Sequence, residues 1–340
     1  LYFQCKCYSG SSSDVTVTFD GTNDMQPDLV WLKSLASGDH LIYDSVRGAN
    51  KRLQPNADDA EVDRSGNNDE LKAFNSDGWT LGTFNSNVTG DGNSCVSWNW
   101  KAGTSFTNDA SATSVGTIDS AGSSNSSSNF SILTYTGTGS SGSIAHNMGS
   151  APTTIFIKRR NSSDSWTVGH SSNGWGGFLR LDTTQAFGSD TSTWTNTAPT
   201  STVFTVNTND VNNSGTTFVA YCFADKQGYS KFGTYVGNGN AFGPFVFTGF
   251  RPAFVLQKST AVQGWQLQDN KRDGFNGSND LIQANDSAAQ SGVNRVDLLS
   301  NGFKVITTDA GQNTNGQKYV YWAFAEQPFV NSNGVPANAR

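Results

Sequence analysis

The sequence predicts an all-β protein of three degenerate tandem repeats, each folded as an antiparallel two-layer β-sandwich, and three observations carry that expectation. A strand ending in lysine recurs three times, at Gln26 to Lys33, Ala151 to Lys158 and Arg251 to Lys258, always with proline second and lysine eighth. Self-similarity at a spacing of roughly a hundred residues marks a repeat architecture. Short runs alternate β-branched or aromatic residues with polar ones, as in Thr202-Val203-Phe204-Thr205-Val206, and turn pairs such as Asp77-Gly78 and Asn301-Gly302 divide them. That is the pattern of antiparallel hairpins with one wet face. Charged residues are only 15% of the chain, and Ser, Thr, Asn and Gly fill the gaps, which argues against long helices.

Each repeat reads in the same order. An aromatic-rich strand comes first, from Phe3 to Gly10, Phe130 to Gly137 or Tyr229 to Gly237. The lysine strand follows, then a polar turn and a second strand, Asp39 to Asp44, Ser165 to His170 or Gly264 to Asp269. A hairpin closes the unit, with Val96-Ser97-Trp98-Asn99-Trp100, Val219 to Phe223 or Val320 to Phe324 as its last strand. So many short strands cannot bury an apolar face as one sheet, so a two-layer sandwich is expected. A propeller is disfavoured because its blades are about half this length. The boundaries are repeat one over 1–103, a Ser/Gly-rich flexible linker over 104–128, repeat two over 129–226, repeat three over 227–327 and a tail over 328–340. Leu1-Tyr2-Phe3-Gln4 reads as the start of the first strand, because Phe3 precedes Tyr8 as Phe130 precedes Tyr135. A tag remnant is the competing reading.

Composition narrows the function. The net charge is −6, and no basic cluster exceeds Lys158-Arg159-Arg160, so nucleic acid is not an expected partner. No apolar window reaches the ~20 residues of a membrane-spanning helix, so membrane insertion is not expected. Cys5, Cys7, Cys95 and Cys222 read as free thiols rather than a disulfide framework. The three histidines, His40, His146 and His170, occupy unlike contexts, and no catalytic motif appears, so no enzyme is expected. The densest acidic stretch holds Asp58, Asp59, Glu61 and Asp63, oxygen ligands of the kind calcium takes. A solvated loop is the alternative, and the other repeats lack a counterpart. No other cofactor is implied.

Tryptophans number nine. Trp79 matches Phe204 and Phe303, and Trp100 matches Phe223 and Phe324, as core positions do. Trp175 sits in the glycine loop Asn173-Gly174-Trp175-Gly176-Gly177 without a repeat partner, and reads either as an exposed stacking platform or as packing against a neighbour. With Trp166, His170 and Trp265 on the strands after the lysines, it forms the candidate ligand-binding set.

The segments Asp44 to Gly48, Thr134 to Gly139, Thr197 to Phe204, Tyr229 to Tyr235, Gly249 to Val255 and Ala323 to Glu326 together resemble a repetitive domain of unknown function. That domain is found in tail-associated and receptor-binding proteins of marine bacteriophages, notably those of cyanobacteria. The likeness covers nearly the whole chain and departs at Asp190 to Trp194, where repeat two is elaborated. It implies a virion structural protein, located on the virion or outside the cell, and brings no catalytic or binding residue with it. The expected function is therefore a non-enzymatic tail fibre or receptor-binding protein whose loops contact host-surface glycan and whose other partners are virion proteins. It would assemble as a homotrimer, or hold an approximate threefold arrangement within one chain. Two rivals stand beside it. A capsid or tail decoration protein would show an exposed apolar strip or an extendable strand edge, and a secreted carbohydrate-binding adhesin would share the aromatic loops. A glycan-cleaving tailspike needs a pair of carboxylates in a cleft, which the sequence does not single out.

Overall fold

The computed structural model describes residues 2–83, 86–272, 276 and 280–326. Within them the chain is almost entirely antiparallel β. Three large inner sheets share one strand order. In the first, Phe3–Ser9, Ser94–Trp100, Leu29–Ser34 and Leu41–Asp44 lie side by side. In the second the same order runs Phe130–Thr136, Thr217–Phe223, Thr154–Arg159, Thr167–His170. In the third it runs Ser230–Val236, Lys318–Phe324, Phe254–Ser259, Trp265–Asp269. The closing strand of each unit is thus paired on both sides, between the opening strand and the lysine strand.

Each inner sheet is backed by a smaller outer sheet, which gives the two layers. The outer sheets are Val15–Val17, Trp79–Leu81 and Leu71–Phe74 in the first unit, and Gly142–Ala145 with Val203–Val206 in the second. In the third they are Phe245–Phe247, Gly302–Val305 and Val296–Leu299. A separate apolar core fills each gap between layers, with Trp79 in the first, Phe204 in the second and Phe303 in the third.

The expectation of one wet face holds only for the outer sheets. The inner closing strands are buried at six consecutive residues, from Cys95 to Trp100, Phe218 to Phe223 and Tyr319 to Phe324. Both faces are covered because the inner faces of all three inner sheets meet in one central core. Trp100, Phe223 and Phe324 meet there, with ring centroids 6.4, 5.5 and 5.5 Å apart pairwise.

Backbone hydrogen bonds close the three sheets into a ring. Glu61 N donates to Arg160 O and Asp164 N to Asp58 O, joining the first unit to the second. Phe187 N to Thr260 O and Gln263 N to Thr184 O join the second to the third, and Gly38 N to Ser287 O and Gln290 N to Leu35 O join the third to the first. Every seam sets the loop after one lysine strand against the chain that follows the fourth strand of the neighbouring inner sheet.

Residues 104–128, expected as a flexible linker, are instead ordered structure. Thr104–Asn108 and Ser120–Asn125 extend the second inner sheet beside Phe130–Thr136, and a one-turn helix, Ala110–Thr113, is capped by Asp109. Backbone ladders need no apolar side chains, so the serines do not prevent pairing. Gly122 is required there, since a Cβ would stand 2.0 Å from Ile132 O. Phe3 and Gln4 are fully buried in the first strand. Leu1 and the tail over 328–340 lie outside the described residues. Cys5, Cys7, Cys95 and Cys222 form no disulfide with one another. No helix among the described residues is long and apolar enough to cross a membrane.

Candidate functional site

The predicted ligand-binding aromatics turn inward. Trp166 and Trp265 are fully buried, His170 nearly so, and Trp175 is 6% exposed. Trp175 packs edge-on against Trp194, ring centroids 5.5 Å apart, beneath Gly169. The glycine loop therefore folds its tryptophan into the second unit's own core rather than presenting it to solvent. Trp166 and Trp265 are seam posts. Trp166 Nε1 donates to Gln54 O at 2.9 Å, from the second unit to the first, and Trp265 Nε1 donates to Arg180 O at 2.7 Å, from the third to the second. At the third seam the equivalent residue is His40. Its Nδ1 accepts from Trp31 Nε1 at 2.9 Å, which places the proton on Nε2, and that nitrogen donates to Gln283 O at 3.1 Å. Burial holds His40 well below its ordinary pKa. His170 packs edge-on against Trp322, at 4.9 Å, and burial pushes its pKa down to about 3. These four positions do not form a stacking surface.

A second ring of donors runs through the closing strands. Tyr221 Oη donates to Asp44 Oδ2 at 2.6 Å, Trp98 Nε1 to Asp269 Oδ2 at 3.2 Å, and Trp322 Nε1 to Thr154 Oγ1 at 3.0 Å. Each crosses to the neighbouring unit. The two carboxylates are held in turn by arginines three residues on, Arg47 Nε at 2.5 Å from Asp44 and Arg272 Nε at 2.6 Å from Asp269. Burial opposes the charge of Asp269, but Arg272 outweighs it and keeps the carboxyl below its usual range.

The recurring lysines belong to the same framework. Lys33, Lys158 and Lys258 are fully buried. Lys33 Nζ reaches Ser34 O at 2.7 Å and Ala36 O at 2.9 Å, and Lys258 Nζ reaches Ser259 O at 2.9 Å and Ala261 O at 3.1 Å. Lys158 Nζ instead spans the seam, bonding Arg159 O at 3.0 Å and Asp58 O at 3.1 Å. Burial pushes all three down to about 8.

The acidic stretch does not converge on a point. Asp58 and Asp59 are exposed, and Asp63 faces Lys51 at 3.4 Å. Glu61 sits between two arginines, 3.0 Å from Arg47 and 2.8 Å from Arg160. Burial opposes its charge, but the arginines hold its carboxyl below the usual range. Among the described residues no three His, Cys, Asp or Glu side chains are grouped as a metal site. The loop is a seam, and its carboxylate is committed to guanidinium partners. An open, hydroxyl-lined cleft of about 630 Å³ lies by Thr107, Thr134 and Thr138. Its charged groups are also engaged: Arg160 with Glu61, Asp119 with Ala110 N, and Asp109 as the helix cap.

What is exposed is a strip that sequence reasoning missed. Phe242 is 80% exposed, Phe245 48% and Phe247 62%, on and just before the outer strand Phe245–Phe247, whose middle residue Val246 points into the core. Lys304 Nζ lies 5.5 Å from the Phe242 ring centre. Beside Phe247 a hollow of about 580 Å³ is floored by Thr248 and Gly249 and bounded by the Asp225–Lys231 ion pair. The signal was available: the positions that match Phe245-Val246-Phe247 read Thr16-Val17-Thr18 in the first unit and Ser143-Ile144-Ala145 in the second, so only the third carries phenylalanines facing out. No curated protein and no solved structure matches the chain. The family model described as a domain of unknown function, DUF7483, matches residues 1–328, and the chain belongs to that family.

Proposed function

We propose that this protein is a non-enzymatic virion structural protein that docks onto other virion proteins, the decoration or assembly reading rather than the glycan-contacting tail-fibre one. The observation that carries it is the exposed phenylalanine strip on an open strand edge of the third unit. An aromatic patch that faces solvent is the usual mark of a protein-binding face. The inward placement of Trp166, Trp175 and Trp265 removes the stacking residues on which the glycan reading relied. The virion setting rests on the sequence resemblance alone. We read the common strand order of the inner sheets as an internal threefold repetition whose copies brace one another, which suits a particle surface that must withstand life outside a cell.

The test is incorporation. An epitope-tagged copy, produced during infection by the phage that encodes the chain, is followed through gradient purification of particles. Wild-type protein should band with particles and a Phe242→Ser/Phe245→Thr/Phe247→Thr variant should stay at the top of the gradient. Equal banding of the two would remove the strip from the explanation, and absence of both from particles would remove the virion role.

A further inference from the structure

The outer edge next to the phenylalanines is treated differently in each unit. In an antiparallel ladder alternate residues exchange hydrogen bonds with the partner strand, and the residues between them aim N–H and C=O at the opposite edge. In the second unit His146 N donates to Thr202 O, so the alternation turns Ser143 and Ala145 toward the open edge. That edge is covered by the chain itself. Thr117 N and Ile118 N both donate to Ser143 O, at 2.8 and 3.0 Å, and Ser120 Oγ donates to Ala145 O at 2.8 Å.

In the third unit Val305 N donates to Pro244 O and Thr248 N to Asn301 O, so Pro244, Val246 and Thr248 face the partner strand. Phe245 and Phe247 therefore aim their amides and carbonyls at the open edge, where no strand lies among the described residues. In the first unit the match is fixed by two glycines whose Cβ positions would meet Val17 O at 1.9 Å and Val246 O at 2.1 Å, Gly78 and Gly302. Thr16 and Thr18 then stand where Phe245 and Phe247 stand, both exposed. One edge is strapped, and of the two that no strand covers among the described residues one carries hydroxyls and the other aromatic rings.

We propose that a second copy of this chain pairs with that third edge, strand Phe245–Phe247 lying antiparallel to its twofold mate so that one sheet runs through both outer layers. The proposal rests on the reading of the strip as a docking face and takes the virion protein that meets it to be a further copy of this chain. Self-pairing is favoured because the pattern is its own complement. With the axis at Val246, Phe245 of one copy faces Phe247 of the other at about 5.5 Å between Cα atoms, and both pairs are of the hydrogen-bonded kind. The same twofold brings the exposed rings of both copies onto one face as cross-strand aromatic pairs. The strand Phe245–Phe247 also lacks the charged residue that usually keeps such edges apart, and Lys304 lies one strand back, opposite Phe245. The three rings expose on the order of 400 Å² per copy, which puts the contact near the lower limit for a specific interface and makes it reversible.

The experiment is sedimentation equilibrium of the full chain across about three decades of concentration, joined to amide hydrogen exchange. The mass should climb from 36.3 kDa toward twice that value, and the Phe245 and Phe247 amides should slow in step with it. Phe245→Thr/Phe247→Thr should weaken the dimer by about tenfold or more per ring. Threonine already occupies the equivalent places in the first unit and favours strands, so the variant should keep the wild-type melting temperature. A chain that stays monomeric overturns the proposal, as does a dimer that ignores the substitutions or leaves the edge amides unprotected. A monomeric chain whose variant still drops out of particles would sink the self-pairing and spare the docking function. A monomer whose variant bands normally would sink both.

Discussion

Substituting Trp100 separates a single shared core from three sandwiches that merely adjoin. Its ring lies 5.0 Å from Phe3, 5.6 Å from Phe254, 5.5 Å from Phe324 and 6.4 Å from Phe223, so it touches all three units. Removing a buried tryptophan side chain costs about 3–5 kcal/mol, and the loss of four aromatic pairs puts Trp100 at the upper end of that range. One term runs the other way. Trp100 Nε1 is buried with no hydrogen-bond partner among the described residues, and deleting an unsatisfied donor returns about 1 kcal/mol. Trp100→Ala should therefore cost about 4 kcal/mol, while Trp100→Phe, the residue at the two matching positions, should stay within about 1 kcal/mol of wild type. With unfolding entropy near 2.1 cal/mol/K per residue, the alanine variant should melt about 6 °C lower. Differential scanning calorimetry should show one transition in all three proteins, shifting as a whole. A wild-type trace that splits in two, or an alanine variant that lowers one transition and leaves another in place, would refute the shared core.

Two further outcomes follow from the buried charges. Glu61→Gln removes the carboxylate between Arg47 and Arg160 and should cost about 2–3 kcal/mol in urea unfolding at pH 7, while millimolar calcium should leave the wild-type midpoint unchanged. Because the folded pKa of Glu61 is depressed, its contribution is present above the unfolded value near 4.3 and lost as pH falls through the folded one, so the two proteins should converge in acid. His40, His146 and His170 are buried neutral, with His146 pushed down to about 4. The unfolded chain binds protons first, so stability should decline as pH drops below about 6.5. A urea midpoint that stays flat from pH 7 to pH 5 would contradict their burial.

Much of the strand plan was legible because hairpin chemistry is local. The recurring lysine strands, the Asp77-Gly78 and Asn301-Gly302 turns and the closing strands fall where alternation and turn residues put them. What the strands do with their second face was not legible. Val96, Trp98 and Trp100 look the same whether they cover a private sandwich core or a core shared among three sheets. The tryptophans misled for a related reason. An indole that hydrogen-bonds a carbonyl across a seam, as Trp166 and Trp265 do, carries the same local sequence as one that stacks on a sugar. Polar composition misled over 104–128, where serines form ladders without apolar help. The exposed strip was missed because the comparison across units covered the tryptophan positions and did not reach Phe245 and Phe247.

That comparison gives the molecule its logic. Closing three sheets around one core fixes every inner surface, and the seams consume the residues that elsewhere do chemistry: the lysines bond carbonyls, Glu61 holds arginines, and the indoles point into neighbours. Variation is left to the outer sheets, whose edges face solvent. Residues 117–120 cover one of them, and a second carries hydroxyls in place of rings. On the third, Phe245 and Phe247 leave amides open beside exposed rings. An open aromatic edge is an aggregation hazard that proteins ordinarily avoid, and the same chain avoids it twice. Its retention at one position is best explained by an occupant.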